Sequence, residues 1–169
     1  GSQRRHPANA VPGKEVDDVI NTNLNSVFWL SRAASNIFRA KGYGKIIMIA
    51  SMGSWFGGKT VPAYSAAKGG VMQLCNAVSN DLLQYGSNVN AIAPGFFARE
   101  QNASRRYNED GTPTARTNKI LAATPMGRFG DSKKDLVGAL LLLLNNDAAG
   151  FITGTCLPID GGFPAYSGV

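Results

Sequence analysis

Lys45-Ile46-Ile47-Met48-Ile49-Ala50-Ser51 is the stretch on which the fold turns. An apolar run of this length, held between Gly44 and a Gly-rich loop, reads as a buried strand. Ser51 then stands at the strand's C-terminal end, where open α/β sheets bind ligands. Thirteen residues on, Tyr64-Ser65-Ala66-Ala67-Lys68 lies early in a long helix-forming segment that Pro62 suits as a first turn and Gly86 stops near Tyr85. The i, i+4 spacing puts phenol and ammonium on one helix face, a turn apart. A free tyrosine titrates at about 10, too high for proton exchange at neutral pH. A lysine cation within roughly 4–6 Å favours the phenolate. The pair is therefore a candidate general acid/base for interconverting a carbinol and a carbonyl.

Working outward, Val16, Ile20, Leu24, Val27, Phe28, Ala34 and Phe38 recur at helical spacing, predicting one helix over 15–40 that Gly42 and Gly44 end. Val89–Ile92 reads as a short strand broken by Pro94-Gly95. A mixed segment follows, 96–130, with a weak helical pattern from Arg116 to Ala123. Ser132-x-x-Asp135 resembles a capping box and predicts a helix to about Asn146. Thr155–Ile159 reads as the last strand. Alternating strands and helices imply a three-layer α/β domain spanning 1–169, with a parallel sheet covered by helices.

The chain has 169 residues, 44% hydrophobic and 17% charged, which describes a globular domain with a real core. Its net charge of +6 invites a nucleic-acid partner, but Arg4-Arg5, Arg105-Arg106 and Lys133-Lys134 are scattered pairs, and none is expected. No apolar run reaches a membrane span; the longest is Leu140–Leu144. Cys75 and Cys156, without a signal peptide, read as reduced core residues of a cytoplasmic protein. His6 stands alone, so no metal site is expected and an exposed structural role is.

Gly53-Ser54-Trp55-Phe56-Gly57-Gly58-Lys59-Thr60 satisfies the phosphate-loop pattern between a strand and a helix. That leaves a nucleotide binder using Lys59 and Thr60 as one alternative. Against it, Pro62 sits in the turn where that helix should already be open, and Trp55 and Phe56 are bulky for a loop wrapping phosphates.

Taken together, Asn23, Ser51, Tyr64 and Lys68, followed by Asn90-Ala91-Ile92-Ala93-Pro94-Gly95 and Asp160-Gly161-Gly162, resemble the short-chain dehydrogenase/reductase family over nearly the whole chain. The resemblance implies a catalytic tetrad. In it Tyr64 exchanges the hydroxyl proton and Ser51 holds the substrate oxygen. Lys68 assists the tyrosine and binds the nicotinamide ribose, and Asn23 feeds a proton relay through a bend in its helix. It implies NAD or NADP as cofactor, bordered by Tyr64, Lys68, Pro94, Gly95, Phe96, Phe97 and Arg99. Arg99 stands where relatives usually carry threonine. The segment 96–130 becomes a substrate lid, with Met52, Trp55, Phe56, Arg99 and Arg105 as candidate substrate contacts. Guanidinium forks at Arg99, Arg105, Arg106 and Arg116 suit a carboxylate. Several stretches look most like bacterial gluconate 5-dehydrogenase, deoxygluconate dehydrogenase and D-mannonate oxidoreductase types, so a sugar acid is the expected substrate. The family pattern also implies a homodimer or homotetramer built on helices 15–40 and 62–85.

The Gly-rich βαβ unit that holds the dinucleotide pyrophosphate does not precede Asn23. The expectation is thus the C-terminal, catalytic portion of a Rossmann-like doubly wound fold, with most of the cofactor site elsewhere. A non-catalytic truncated domain that only oligomerises is the other alternative.

Overall fold

The three apolar runs become three strands: β1 (Gly44–Ile49), β2 (Ser87–Pro94) and β3 (Cys156–Ile159). They pair in the order β1-β2-β3, all parallel, with Ile46 opposite Val89, Ile49 opposite Ile92 and Ala91 opposite Cys156. This is a computed structural model, and it describes residues 1–98 and 106–166. β2, the central strand, is buried along nearly its full length, which is why Asn90-Ala91-Ile92-Ala93 carries no charge.

Side-chain alternation divides the sheet into two faces. Met48, Val89, Ala91 and Ala93 turn to one face and pack with Val71, Cys75 and Leu82 of α3 (Pro62–Leu82), with Leu24, Val27 and Phe38 closing the edge of that core. Val71 and Leu82 are wholly buried, each contributing about 1.5–3 kcal/mol by leaving water. On the other face, Asn88 and Asn90 reach the chain leading into β3. Asn88 Nδ2 donates to Gly150 O (3.0 Å) and Asn90 Nδ2 to Ile152 O (2.8 Å), while Thr155 N donates back to Asn90 Oδ1 (3.2 Å). Helices therefore cover one face and the segment before β3, with its own helices, the other.

The expected long first helix is interrupted. It runs as α1 (Gly13–Ile20), a π-helical turn (Asn21–Asn25) and α2 (Ser26–Lys41). The widened turn lies at Asn23, the polar residue that interrupts the apolar stripe, and it rotates the helical register there. Gly42, in the left-handed region (φ 69°), closes α2 as expected. Gly44 does not: it opens β1, and the Phe38 ring lies where a Cβ would be.

Two further expectations are corrected. Ser132 does not cap the third strong helix. No side chain caps that helix: Asp131 Oδ1 accepts from Lys133 N in the turn before it, while Asp135 Oδ2 accepts from Asp131 N and Arg128. Turns occupy 132–136, so α5 starts late, at Val137, and ends at Leu144. Asn145 then caps a separate short helix, α6 (Asn146–Ala149), its Oδ1 accepting from Asp147 N and Ala148 N. Within the mixed segment, Thr114 caps α4 (Ala115–Ala122).

Among the described residues, no strand pairs with the outer edge of β1. Beside it a cavity of ≈ 560 Å³ runs under α2, lined by Val27, Leu30, Ala34, Phe38 and residues 45–49 of β1. Ile49 is half exposed there.

Candidate active site

Ser51 leaves the end of β1 in extended backbone (φ −164°) and is buried. Its Oγ accepts from Gly53 N (3.2 Å), which fixes the oxygen while leaving the hydroxyl proton free to be donated. Ser51 N in turn donates to Ser54 Oγ (3.3 Å), and Ser54 Oγ donates to the Lys68 carbonyl (2.6 Å). Ser54 thus ties the serine turn to α3 at the turn of helix that carries Lys68. Sequence reasoning passed over it, although the S-x-x-S spacing of Ser51 and Ser54 is a reciprocal cap pattern that could have exposed it.

Tyr64 lies in the first turn of α3, half buried. A Cβ built on Gly53 would stand 3.6 Å from Ser51 Oγ and 3.8 Å from Tyr64 Cε1, so serine and tyrosine face one another across a glycine-sized gap. Lys68 Nζ lies 5.9 Å from the Tyr64 ring centre. It donates to Ile49 O (2.6 Å) at the C-terminal end of β1. Lys68 is buried, and desolvation holds its pKa below the ordinary 10.5.

Asn23 is buried in its π-turn. Its Nδ2 donates to Val19 O (2.9 Å) and Ser2 O (2.8 Å), whereas Oδ1 is buried without a hydrogen-bond partner. Asn23 and Lys68 line the same cavity beside β1. An orphaned acceptor and an ammonium on one otherwise largely apolar cavity fit a hydroxyl-bearing group such as a ribose. The structure thus brings Ser51 and Lys68 to Tyr64, and places Lys68 and Asn23 on one cavity.

The Pro94-Gly95 loop meets the last turn directly. Gly95 N donates to Ile159 O (2.9 Å), and a Cβ on Gly95 would collide with Asp160. Phe96 and Phe97 line a second cavity of ≈ 370 Å³ with Asp160, Gly161 and Gly162. Of the candidate substrate contacts, Met52 is buried, while Trp55 and Phe56 are exposed. Phe56 stacks on Phe163 (5.6 Å, 26°), and Phe163 meets Phe96 edge-on (5.5 Å). Phe163, which sequence reasoning gave no role, therefore joins the serine loop to the Pro-Gly loop. Arg116 lies 5.9 Å over the Phe96 ring. Arg99 and Arg105 lie outside the described residues.

The phosphate-loop alternative does not survive the geometry. Gly53 and Ser54 belong to the turn that holds Ser51, Lys59 and Thr60 are exposed, and α3 begins only at Pro62. No helical N–H groups therefore stand at the Gly58-Lys59 step to cradle a phosphate. His6 is half buried rather than exposed, with Nε2 3.0 Å from Glu15 Oε2. Among the described residues no cluster of metal-ligating side chains occurs, and no helix is long and apolar enough to cross a membrane.

With this geometry in view, comparison with known proteins is decisive for the family. A family model described as enoyl-(acyl carrier protein) reductase matches residues 1–164. The chain belongs to the short-chain dehydrogenase/reductase family. Within that family it is 40% identical to 2-dehydro-3-deoxy-D-gluconate 5-dehydrogenase of Escherichia coli over 166 residues, 98% of this chain and 63% of that protein. A structure provisionally assigned as a D-mannonate oxidoreductase from Haemophilus influenza, with bound NAD, superposes with a TM-score of 0.87 at 38% identity, covering 94% of this chain and 56% of that one. A gluconate 5-dehydrogenase from Burkholderia cenocepacia in complex with NADP and tartrate superposes with a TM-score of 0.88 at 32% identity, covering 98% of this chain and 62% of that one. The parallel sheet and its helices are therefore a Rossmann-like arrangement. The chain spans 54–63% of the length of the curated relatives it matches.

Proposed function

We propose that this chain carries the catalytic face of an NAD(P)-dependent oxidoreductase that interconverts a secondary alcohol and a ketone on a sugar acid. The observation that carries the reading is the opposition of Ser51 Oγ and the Tyr64 ring across Gly53, with Lys68 behind the tyrosine. The substrate oxygen sits between serine and tyrosine. Ser51, its oxygen already fixed by Gly53 N, donates its proton to that oxygen. Tyr64 takes the carbinol proton in the oxidative direction and returns it in the reductive one. Lys68 supplies the positive charge facing the phenol, and with Asn23 it offers the donors and acceptor that fit a nicotinamide ribose. A nicotinamide held there would supply the hydride acceptor or donor. Pro94 and Gly95, with Phe96 and Phe97 after them, form the loop that would flank its ring. The relatives' names, gluconate and deoxygluconate enzymes, favour a sugar acid, and tartrate in one structure favours a hydroxylated carboxylate.

Assembly is part of the same proposal. α2 exposes Phe28, Trp29 and Ile37, more apolar area than its packing on β1 uses, and Leu83 is exposed just past α3. A homodimer or homotetramer through these helices would cover it.

Tyr64→Phe tests the chemistry. Followed by nicotinamide absorbance with 5-keto-D-gluconate and with 2-dehydro-3-deoxy-D-gluconate, the variant is expected to lose about 10²–10⁴-fold in kcat, the usual weight of a positioned acid/base. Cofactor affinity should stay unchanged. Turnover retained in Tyr64→Phe would sink the reading.

A further inference from the structure

Between Ser51 and Tyr64 the protein leaves a gap, and the gap exists because residue 53 has no side chain. A Cβ there would reach 3.6 Å from Ser51 Oγ and 3.8 Å from Tyr64 Cε1. Cε1 is the ring carbon next to the one bearing the hydroxyl, so the missing methyl lies beside the reacting end of the phenol. Both distances are ordinary van der Waals contact. An alanine would thus fit the protein without displacing anything, and would fill only space now open to a ligand. Gly53 is also not glycine for backbone reasons. It lies in the right-handed turn Met52–Ser54 and is not among the residues with positive φ. Its N–H, which holds Ser51 Oγ, survives the substitution.

A secondary carbinol carbon carries an oxygen, a hydrogen and two carbon substituents. With the oxygen between Ser51 and Tyr64, one substituent must pass residue 53, and the other turns toward the loop that continues to Trp55 and Phe56. We infer that Gly53 is a specificity-determining residue: the space of its absent Cβ admits an oxygen-bearing carbon next to the reacting carbon. The site thereby accepts polyhydroxylated acids whose reacting carbinol is substituted on both sides. This rests on the proposed oxidoreductase function. It adds to that function a substrate class and the residue that selects it.

The test compares Gly53→Ala with the unaltered protein and with Gly57→Ala, a control in the same loop where a Cβ would meet nothing within 4 Å. The probes are D-gluconate, whose inner carbinols are flanked by hydroxylated carbons, and 3-hydroxybutyrate, a carboxylate whose carbinol carries a methyl on one side. Binding is followed by calorimetry and turnover by nicotinamide absorbance. Gly53→Ala should weaken gluconate binding and kcat/KM by about tenfold or more, the range one methylene of steric difference commands in a fitted pocket. It should leave 3-hydroxybutyrate within about twofold, and urea unfolding should show no loss of stability. Gly57→Ala should match the unaltered protein throughout. Equal response to both probes, or none, overturns the inference while leaving the proposed function standing. If the unaltered protein binds neither acid, or Tyr64→Phe still turns over, the proposed function falls and takes the inference with it.

Discussion

Replacing Asn90 by alanine should unfasten the sheet from the chain that feeds its last strand. Asn90 is buried in the middle of β2, and its amide bridges two backbone groups of the β3 approach, Ile152 O at 2.8 Å and Thr155 N at 3.2 Å. Alanine removes both bonds and leaves both backbone groups buried without those partners. An orphaned buried group costs about 1–3 kcal/mol, so the pair should cost about 3 kcal/mol. Domains of this size are stable by only about 5–15 kcal/mol. At roughly 2–4 °C per kcal/mol, the midpoint of thermal unfolding should fall by about 6–12 °C. Urea unfolding followed by tryptophan fluorescence and by far-UV dichroism measures it, with an unchanged m-value showing that the native fold is kept. Asn88→Ala provides the internal scale. Its Oδ1 partner is Lys45 Nζ, which can turn to water, so chiefly Gly150 O is orphaned and the loss should be about half as large. A loss below about 1 kcal/mol for Asn90→Ala, or one no greater than for Asn88→Ala, refutes the claim that this amide secures β3.

Two other outcomes are expected. Arg128 grips Asp135 with two nitrogens (2.7 and 3.0 Å) and holds its carboxyl below the ordinary 3.8. That depression stabilises the fold fully above pH 3.8 and is lost as pH falls through the lowered value. Asp135→Asn should therefore be less stable than the unaltered protein at pH 6 and converge with it in acid; a gap that persists unchanged to pH 2 counts against the pair. For assembly, multi-angle light scattering at micromolar concentration should return a dimer or tetramer mass, and Trp29→Glu on α2 should shift it toward monomer. A monomer mass for the unaltered protein would remove the interface proposal.

The motifs by themselves determined most of the site. The run ending at Ser51 had to be a strand, because apolar residues in succession between glycines leave few other ways to be buried. Tyr64 and Lys68 had to share a helix face, because i, i+4 spacing leaves no other geometry. Local chemistry likewise placed Gly42 at a helix end, and the Ser51–Ser54 cap was there to be read. What tertiary structure decided were the relations across distance. Sequence periodicity ran straight through Asn23; the family resemblance implied a bend there, and the tertiary structure gives that bend its form, a π-turn on the cavity that Lys68 also lines. Gly44 looked like a helix stop but is a seat for the Phe38 ring, a contact between segments that no local pattern encodes. The cap at Ser132 failed because Asp135 serves Arg128 and Asp131 instead, a competition settled by neighbours brought in from another turn. Nothing in the sequence signalled the ring contacts of Phe163, and the pattern that contained Gly53 pointed to a phosphate loop instead. One matters for the rings it meets and the other for the space it leaves, and both exist only once separate parts of the chain have converged.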